Sequence, residues 1–292
     1  MSLTSFIKNN EVRKLFADEF KKPRGKIPGE IKAEPVTNHY ALIGTAFDYL
    51  MRFYLKHHYP EAIEKRWVAE ISCKLTEVNP SVHKKAVKNL KFAKDAYSKF
   101  LKNGVLNEDI LKSAILLAQL DPIYRAGYVD ENMGIVDEDD IQDLRNLISL
   151  VNIEDFKADS YCLLNPTFNE GSILVGGADA DIVIDNQLID IKTTKKLEIT
   201  REMFNQIIGY YVLGKIGGIG REEKIDVSNI NEIGFYFSRY GIKCMYKAEE
   251  IIDFNSLPNF IDKFKDKAKN LFPVSEIDDK VDEKIVKISN IL

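Results

Sequence analysis

Residues 176–194, GGADADIVIDNQLIDIKTT, decide the predicted fold because their apolar and charged side chains alternate strictly. One face carries Ile182, Ile184, Ile189 and Ile191, and the other carries Asp179, Asp181, Asp190 and Lys192. A period of two is typical of strands that bury one face. Asp185 and Asn186 both tolerate the left-handed backbone that a two-residue hairpin turn requires. The stretch therefore predicts a β-hairpin with an aliphatic core face and a charged face.

The predicted register places two carboxylates opposite each other. Counting back from the turn, Asp181 faces Asp190, and Asp179 faces Lys192. Carboxylates with Cβ atoms about 5 Å apart repel each other and destabilise a plain hairpin. A divalent cation such as Mg²⁺ would compensate, because it takes carboxylate oxygens and completes its shell with water and substrate phosphate. A lysine on the same face can orient a water and stabilise charge on a scissile phosphate, so this combination suits phosphodiester hydrolysis.

An ordinary ion pair is the alternative interpretation of these charges. An acidic residue two positions before a lysine also occurs elsewhere, for example at Asp155 and Lys157. In this interpretation Asp179 and Lys192 form a solvated cross-strand pair worth about 0–1 kcal/mol. The facing carboxylates are then left unexplained.

A helix is predicted directly after the hairpin. It begins near Thr200, a residue suited to the N-cap, and ends at Gly217–Gly218. Gln206 and Tyr210 lie four residues apart on one face, where they can hydrogen-bond a phosphate or the charged hairpin side chains. Gly209 in the helix interior indicates that another backbone approaches closely.

Together these elements resemble the PD-(D/E)XK nuclease superfamily and, within it, the RecB-like exonuclease branch. The resemblance is carried by Gly177, Asp181-Ile-Val-Ile, Ile189-Asp190-Ile-Lys192-Thr193 and Gln206-x-x-x-Tyr210. It implies an α/β fold of the restriction-endonuclease-like kind, with a mixed central β-sheet flanked by helices. It also implies DNA cleavage that depends on Mg²⁺ or Mn²⁺. By position, Asp181 and Asp190 resemble the metal-binding carboxylates, Lys192 the signature lysine, and Gln206 and Tyr210 the RecB-like pair.

The resemblance further implies a metal ligand on an upstream helix. Many RecB-like members have a glycine followed four residues later by a histidine that joins the metal. Gly44 and Asp48 have this spacing, with aspartate in place of histidine. Asp48 is a candidate third ligand, and an ordinary surface aspartate is the alternative. The reserve ligands are Glu70, Glu170 and Asp179.

Other metal or nucleotide sites are not predicted. The cysteines are three and widely separated, so we expect neither a disulfide framework nor the four-cysteine iron–sulfur cluster of some relatives. The histidines show no ligand spacing and are expected at the surface or partly buried: His39, His57, His58 and His83. The glycines of residues 214–220 follow a helix rather than opening one, which excludes a nucleotide cradle.

The composition is that of an ordinary globular protein. Of 292 residues, 45% are hydrophobic and 29% are charged, which suffices for a proper core. No apolar run approaches the roughly 18 residues of a membrane span, and no secretory signal is visible, so a cytoplasmic location without membrane contact is expected. The net charge of −4 requires any DNA contact to be local. The candidates are Lys195, Lys196 and Arg201.

A single nuclease domain is predicted over residues 1–292, with a helical block at about 80–151 and the nuclease motifs at about 160–250. Helices are predicted over the first twenty residues and over 40–59, 80–104, 108–121, 139–151, 200–218 and 257–271; strands over 161–168, 172–185, 187–194, 232–240 and 242–247; residues 67–75 fit either. The helix at 80–104 carries lysines 84, 88, 91 and 102 opposite its apolar face. A solvated face is the main interpretation of these lysines, and a phosphate contact is the alternative.

We therefore expect a metal-dependent deoxyribonuclease, and the RecB-like motifs favour an exonuclease. Two alternatives keep the fold: a catalytically inactive DNA-binding or scaffold protein, and a sequence-specific endonuclease. The intact Asp, Asp and Lys set argues against the inactive scaffold. DNA is the expected partner, and a homo-oligomer or recombination or phage proteins are left open as further partners.

Overall fold

A six-stranded mixed β-sheet forms the centre of the computed structural model, which describes residues 2–220 and 225–272. Its strands are β1 (Ile63–Glu64), β2 (Cys162–Leu164), β3 (Ile182–Ile184), β4 (Gln187–Lys192), β5 (Glu232–Phe237) and β6 (Ile242–Lys247). They lie in chain order, with β1–β2 and β4–β5 parallel and the other neighbours antiparallel. The predicted α/β class with a mixed sheet flanked by helices is confirmed.

Helices cover both faces of the sheet. They are α1 (Leu3–Phe6), α2 (Asn10–Glu19), α3 (Tyr40–His58), α4 (Val68–Leu75), α5 (Pro80–Asn103), α6 (Glu108–Ala126), α7 (Glu138–Ile148), α8 (Glu170–Leu174), α9 (Arg201–Gly217), α10 (Ala248–Ile251) and α11 (Leu257–Leu271). The region left open at 67–75 is therefore a helix. The prediction ended α6 at residue 121, but the helix continues through Pro122 to Ala126, and Ile123 is buried in the core. None of the helices in the described ranges is both long and apolar enough to span a bilayer.

The predicted hairpin has the predicted register. Ile184 pairs with Gln187 and Ile182 with Ile189. Asp185 occupies the turn with a φ of +46°, and its carboxylate accepts hydrogen bonds from the backbone N–H groups of residues 159, 160 and 161. The turn is thus held by its own side chain as well as by the ladder.

The charged face of the hairpin is also part of a core, contrary to the prediction. The isoleucine face is buried, as expected, and it packs against α3 to α7. On the opposite face Val183 and Leu188 are fully buried in a second cluster, together with residues of α1, α2, α9 and α11. The charged residues occupy only one end of that face, because the two apolar residues fill its centre.

The predicted strand at 172–185 is wrong in its first half. Residues 172–174 belong to α8, and β3 begins only at Ile182. α8 packs closely on α9, since a Cβ at Gly171 or Gly217 would overlap a backbone carbonyl of the facing segment. Gly209 also has a close neighbour, but it is the side chain of Leu3 rather than the predicted backbone. These close contacts at the glycines depend on tertiary packing, and the alternation of residues within one segment does not predict them.

A buried ion pair joins the helical block to the end of the sheet. Arg239, which follows β5, is 1% exposed and donates to both oxygens of Asp143 on α7, at 2.8 and 3.1 Å. Its Nη1 also donates to the carbonyl of Ala33 at 3.2 Å. Because both charges are out of water, the bidentate contact fixes how α7 sits on the sheet.

Candidate active site

The two hairpin aspartates meet at one end of β3 and β4. Asp181 directly precedes β3, and its Oδ2 accepts a hydrogen bond of 2.6 Å from the backbone N–H of Ile191. Its own carbonyl accepts the N–H of Asn165 at 2.8 Å. Asp190 lies within β4 and is only 1% exposed. Asp181 is therefore fixed by backbone contacts on both sides, across from Asp190.

Lys192 connects the aspartates to α9. Its Nζ lies 2.5 Å from Oδ2 of Asp190 and donates to Oε1 of Gln206 at 2.9 Å. The amide of Gln206 then donates to the hydroxyl of Tyr210 at 2.8 Å. The ring of Tyr210 stacks on Phe168, with centroids 5.5 Å apart. The structure thus links Asp190, Lys192, Gln206 and Tyr210 in one chain of contacts. Asp181 is held beside this chain by the backbone N–H of Ile191, the residue after Asp190.

Asp48 joins this group from α3. Its Oδ2 accepts a hydrogen bond of 2.8 Å from Arg52, while its buried Oδ1 has no hydrogen-bond partner among the described residues. One turn earlier, Gly44 faces the residue after β4: a Cβ there would lie 3.9 Å from Cβ of Thr193. α3 therefore crosses the end of β4 where Asp190 and Lys192 lie.

The pKa values at the site are shifted because three carboxylates, Asp48, Asp181 and Asp190, lie close together and are largely shielded from water. Burial raises the pKa of Asp181 well above its usual range, and repulsion from Asp190 and Asp48 raises it further. Burial also raises the pKa of Asp190, against the opposing effect of the Lys192 ammonium. For Lys192, burial disfavours the charged form, but Asp190 and Asp181 together outweigh it and the pKa is raised. The lysine therefore stays protonated while the aspartates resist ionisation.

A buried network behind Asp48 was not found from the sequence. Arg52 is 2% exposed, lies 4.2 Å from the ring centroid of Tyr49 and holds the Asp48 carboxylate. The Tyr49 hydroxyl donates to Asp121 of α6 at 2.6 Å. The sequence did contain a signal for it, because Arg52 and Asp121 lie inside apolar helical runs. Charged residues in such positions are buried only when they are paired. This network attaches Asp48 to the helical block.

The reserve ligands lie in other contacts. Asp179 pairs with Lys65 at 2.5 Å and bridges Thr167, so the predicted pairing with Lys192 is wrong. The reason is that the chain leaves the β3–β4 ladder at residue 181 and turns toward the segment after β2. Glu70 forms ion pairs with Arg66 and Lys94, and Glu170 begins α8.

The predicted DNA-contacting cations divide into exposed and structural residues. Lys195 and Lys196 are exposed, and the Lys195 ammonium lies 5.9 Å from the ring centroid of Tyr40. Arg201 instead donates to the carbonyl of Phe20 at 3.0 Å and holds the end of α2. Of the three, the two lysines are exposed to a ligand from solvent, and the Lys196 ammonium also lies 4.0 Å from the carboxylate of Glu198.

A second cluster of ligand-type residues lies where α3 and α7 begin. In the described part of the chain, the group of three whose ligand atoms all lie within 4.8 Å is His39, Asp137 and Asp140; the carboxylates of the candidate active site are less tightly gathered. Nδ1 of His39 is 3.0 and 3.1 Å from the two oxygens of Asp140. This direct imidazole–carboxylate contact accounts for the closeness of His39 and Asp140 without an ion.

A cleft of about 1100 Å³ lies apart from the three carboxylates of the candidate active site. Asn186, Tyr211 and Phe254 are among its lining residues. Asn186 precedes the first residue of β4, whereas Lys192 is the last, so roughly 20 Å of strand separates Asn186 from Lys192. The residues that line the cleft do not include Asp48, Asp181, Asp190 or Lys192.

Comparison of the chain with protein-family models, with curated proteins and with solved structures finds no match. A functional assignment must therefore be argued from the site itself.

Proposed function

We propose that this protein is a metal-dependent deoxyribonuclease of the restriction-endonuclease-like fold, acting in the cytoplasm as a RecB-like exonuclease. The observation that supports the proposal is the convergence of Asp181, Asp190 and Lys192 at one end of β4. Gln206 and Tyr210 extend this group in a single chain of hydrogen bonds. A surface ion pair would need neither the second carboxylate nor the buried lysine.

The residues present fit a hard divalent cation. Asp48 has a buried oxygen without a hydrogen-bond partner in the described residues, and the two hairpin carboxylates have raised pKa values. Oxygen ligands of this kind are those that Mg²⁺ and Mn²⁺ prefer, so Asp48, Asp181 and Asp190 would hold the ion. When bound, such an ion lowers the pKa of a water and stabilises negative charge on phosphate oxygens.

The chain's own residues supply orientation and positive charge. Lys192 stays protonated, so it acts as a hydrogen-bond donor and cation rather than as a base. Its ammonium would position the attacking water and stabilise charge on the scissile phosphate. Gln206 fixes the direction of that ammonium, and the stacked Tyr210 fixes Gln206.

DNA is the proposed substrate, and it would be held by local positive charge. The net charge of −4 rules out a general basic field. Lys195 and Lys196 follow β4 directly and are exposed beside the site. A phosphate backbone passing Lys192 would reach these lysines, and such contacts make binding depend on salt.

A cleavage assay tests the proposal. Linear and closed-circular double-stranded DNA and single-stranded DNA are incubated with Mg²⁺, Mn²⁺ or EDTA, using wild type, Lys192→Ala and the control Lys215→Ala. Lys215 lines the distant cleft, so its loss should leave cleavage unchanged.

We expect metal-dependent degradation of linear DNA that Lys192→Ala abolishes and Lys215→Ala retains. Cutting of closed circles would contradict the exonuclease assignment. Absence of cleavage on every DNA with both metals would contradict the nuclease and favour the inactive DNA-binding scaffold.

A further inference from the structure

The first turn of α3 presents an exposed aromatic ring next to the candidate active site. Tyr40 is 50% exposed, although it begins a helix whose central residues are fully buried. The ammonium of Lys195 lies 5.9 Å from its ring centroid. An apolar ring in water beside a cation is the combination that proteins use to bind single-stranded nucleic acid.

The position of the ring follows from the helix. Tyr40, Gly44 and Asp48 are spaced by four residues, so they lie along one face of α3. Gly44 faces Thr193 at the end of β4, which places this face against the candidate active site. Eight residues at 1.5 Å each put Tyr40 about 12 Å along the axis from Asp48. A base on Tyr40 would therefore belong to a nucleotide a few positions from the phosphate at Asp48.

Lys195 is held where a phosphate next to that base would pass. Its backbone carbonyl accepts a hydrogen bond from the hydroxyl of Tyr240, so the main chain is fixed while the side chain is exposed. Lys196, also exposed, continues the positive charge. The ring and the lysines thus offer a stacking surface and phosphate contacts within one short segment.

We infer that Tyr40 and Lys195 form a subsite for an unpaired base and its phosphate, so that the substrate is DNA with a single-stranded segment. Inside a duplex both faces of a base are covered by its neighbours, and only an unstacked base can lie on the ring. The inference rests on the proposed function for its choice of DNA, and it adds the strand state of the substrate.

Equilibrium binding in EDTA tests the subsite without cleavage. Fluorescence anisotropy is measured with a labelled oligothymidine and with a blunt duplex of the same length, for wild type, Tyr40→Ala, Tyr40→Phe and Phe254→Ala. Phe254 is a matched control because it is 47% exposed and lines the distant cleft. Thermal unfolding of each variant checks that the fold is kept.

We expect Tyr40→Ala to weaken oligothymidine binding by about 5- to 100-fold. Tyr40→Phe and Phe254→Ala should bind as wild type, and duplex affinity should not change with Tyr40→Ala. Lys195→Ala should reduce the slope of log affinity against log salt by about 0.7, while Tyr40→Ala leaves that slope unchanged.

Two results would overturn the subsite: unchanged oligothymidine affinity in Tyr40→Ala, or an equal loss for oligothymidine and duplex. The outcome is separate from that of the cleavage assay. Cleavage without an effect of Tyr40→Ala on binding would reject the subsite alone. Tyr40-dependent binding without cleavage would reject the nuclease and retain the subsite.

Discussion

Replacing Asp181 with asparagine removes one of two facing carboxylates while keeping its shape. The asparagine oxygen can still accept the N–H of Ile191, which Asp181 now accepts at 2.6 Å. The substitution removes an ionisable carboxyl group. Burial raises the pKa of this group, and the charges of Asp190 and Asp48 raise it further. We therefore expect Asp181→Asn to be more stable than wild type at neutral pH in EDTA.

The size of the gain follows from the spacing of the charges. Two unit charges about 5 Å apart, the usual cross-strand distance, interact by about 3 kcal/mol at an effective dielectric constant of about 20. The Lys192 ammonium, 2.5 Å from Asp190, offsets part of this repulsion. We expect a net stabilisation of about 1–2 kcal/mol, or a rise in Tm of about 2–5 °C.

The pH dependence has a definite sign. A carboxyl whose folded pKa is raised ionises more readily in the unfolded state. Wild type therefore loses stability as pH rises from about 3.9, the ordinary pKa of aspartate, through the raised folded value of Asp181. The advantage of Asp181→Asn should grow across this window and disappear below it. Thermal unfolding followed by circular dichroism at several pH values measures it.

Asp185 provides a matched control on the same hairpin. Burial alone would raise its pKa, but hydrogen bonds from the backbone N–H groups of residues 159, 161 and 160 outweigh it and lower the pKa. Its contribution to stability is present above about pH 3.9 and is lost as pH falls through the lowered folded value. Asp185→Asn should therefore be less stable than wild type at neutral pH, the opposite of Asp181→Asn.

Magnesium should stabilise wild type more than it stabilises Asp181→Asn. A bound ion stabilises the folded protein in proportion to its affinity, so wild type should gain more Tm from Mg²⁺ than Asp181→Asn does. Destabilisation of Asp181→Asn in EDTA at neutral pH would contradict the repulsion between the facing carboxylates. A gain in Tm from Mg²⁺ as large as that of wild type would contradict Asp181 as a metal ligand.

Three further predictions concern the frame of the site. Arg239→Ala should lower the free energy of unfolding by about 3–5 kcal/mol, because it leaves the Asp143 carboxylate buried and unpaired; urea unfolding measures this, and a change below about 1 kcal/mol would contradict it. Gly217→Ala should reduce Tm because the added Cβ would overlap a backbone carbonyl. Gly44→Ala would meet only an ordinary contact at 3.9 Å, so its free energy of unfolding should rise by up to about 1 kcal/mol from helix propensity. Equal Tm changes in the two variants would be inconsistent with these contacts. Asp48→Asn should raise the Mg²⁺ concentration for half-maximal cleavage, and an unchanged requirement would make Asp48 an ordinary helix aspartate.

Local signals in the sequence were sufficient for the hairpin and for the long helices, but not for α4 or α8. The alternation around Asp185 predicted both the turn and the pairing of Ile184 with Gln187, because a strand exposes alternate residues to opposite faces. Thr200 and the Gly217–Gly218 pair marked the ends of α9, since its caps involve residues close in sequence. The helical spacing of Gln206 and Tyr210 predicted contacts with a phosphate or with the charged hairpin side chains, and Gln206 does accept a hydrogen bond from Lys192 and donate one to Tyr210.

Other features required the tertiary structure. Asp179 pairs with Lys65, 114 residues away, and no spacing within the hairpin contains that partner. The Arg52 contact with Asp48 is local, but its burial depends on α6, which supplies Asp121 to the same network. Likewise, the exposure of Tyr40 beside Lys195 follows from how α3 crosses β4.

The sequence by itself determined the long helices, the hairpin and which residue types line one end of that hairpin. Periodicity and caps act between neighbours a few residues apart, so they can be read along the chain. Only the tertiary structure decided which charges are paired, which oxygen of Asp48 is left without a partner and which ring faces solvent. Those properties depend on burial and on contacts between distant segments, where the free-energy cost of an unpaired charge selects the arrangement.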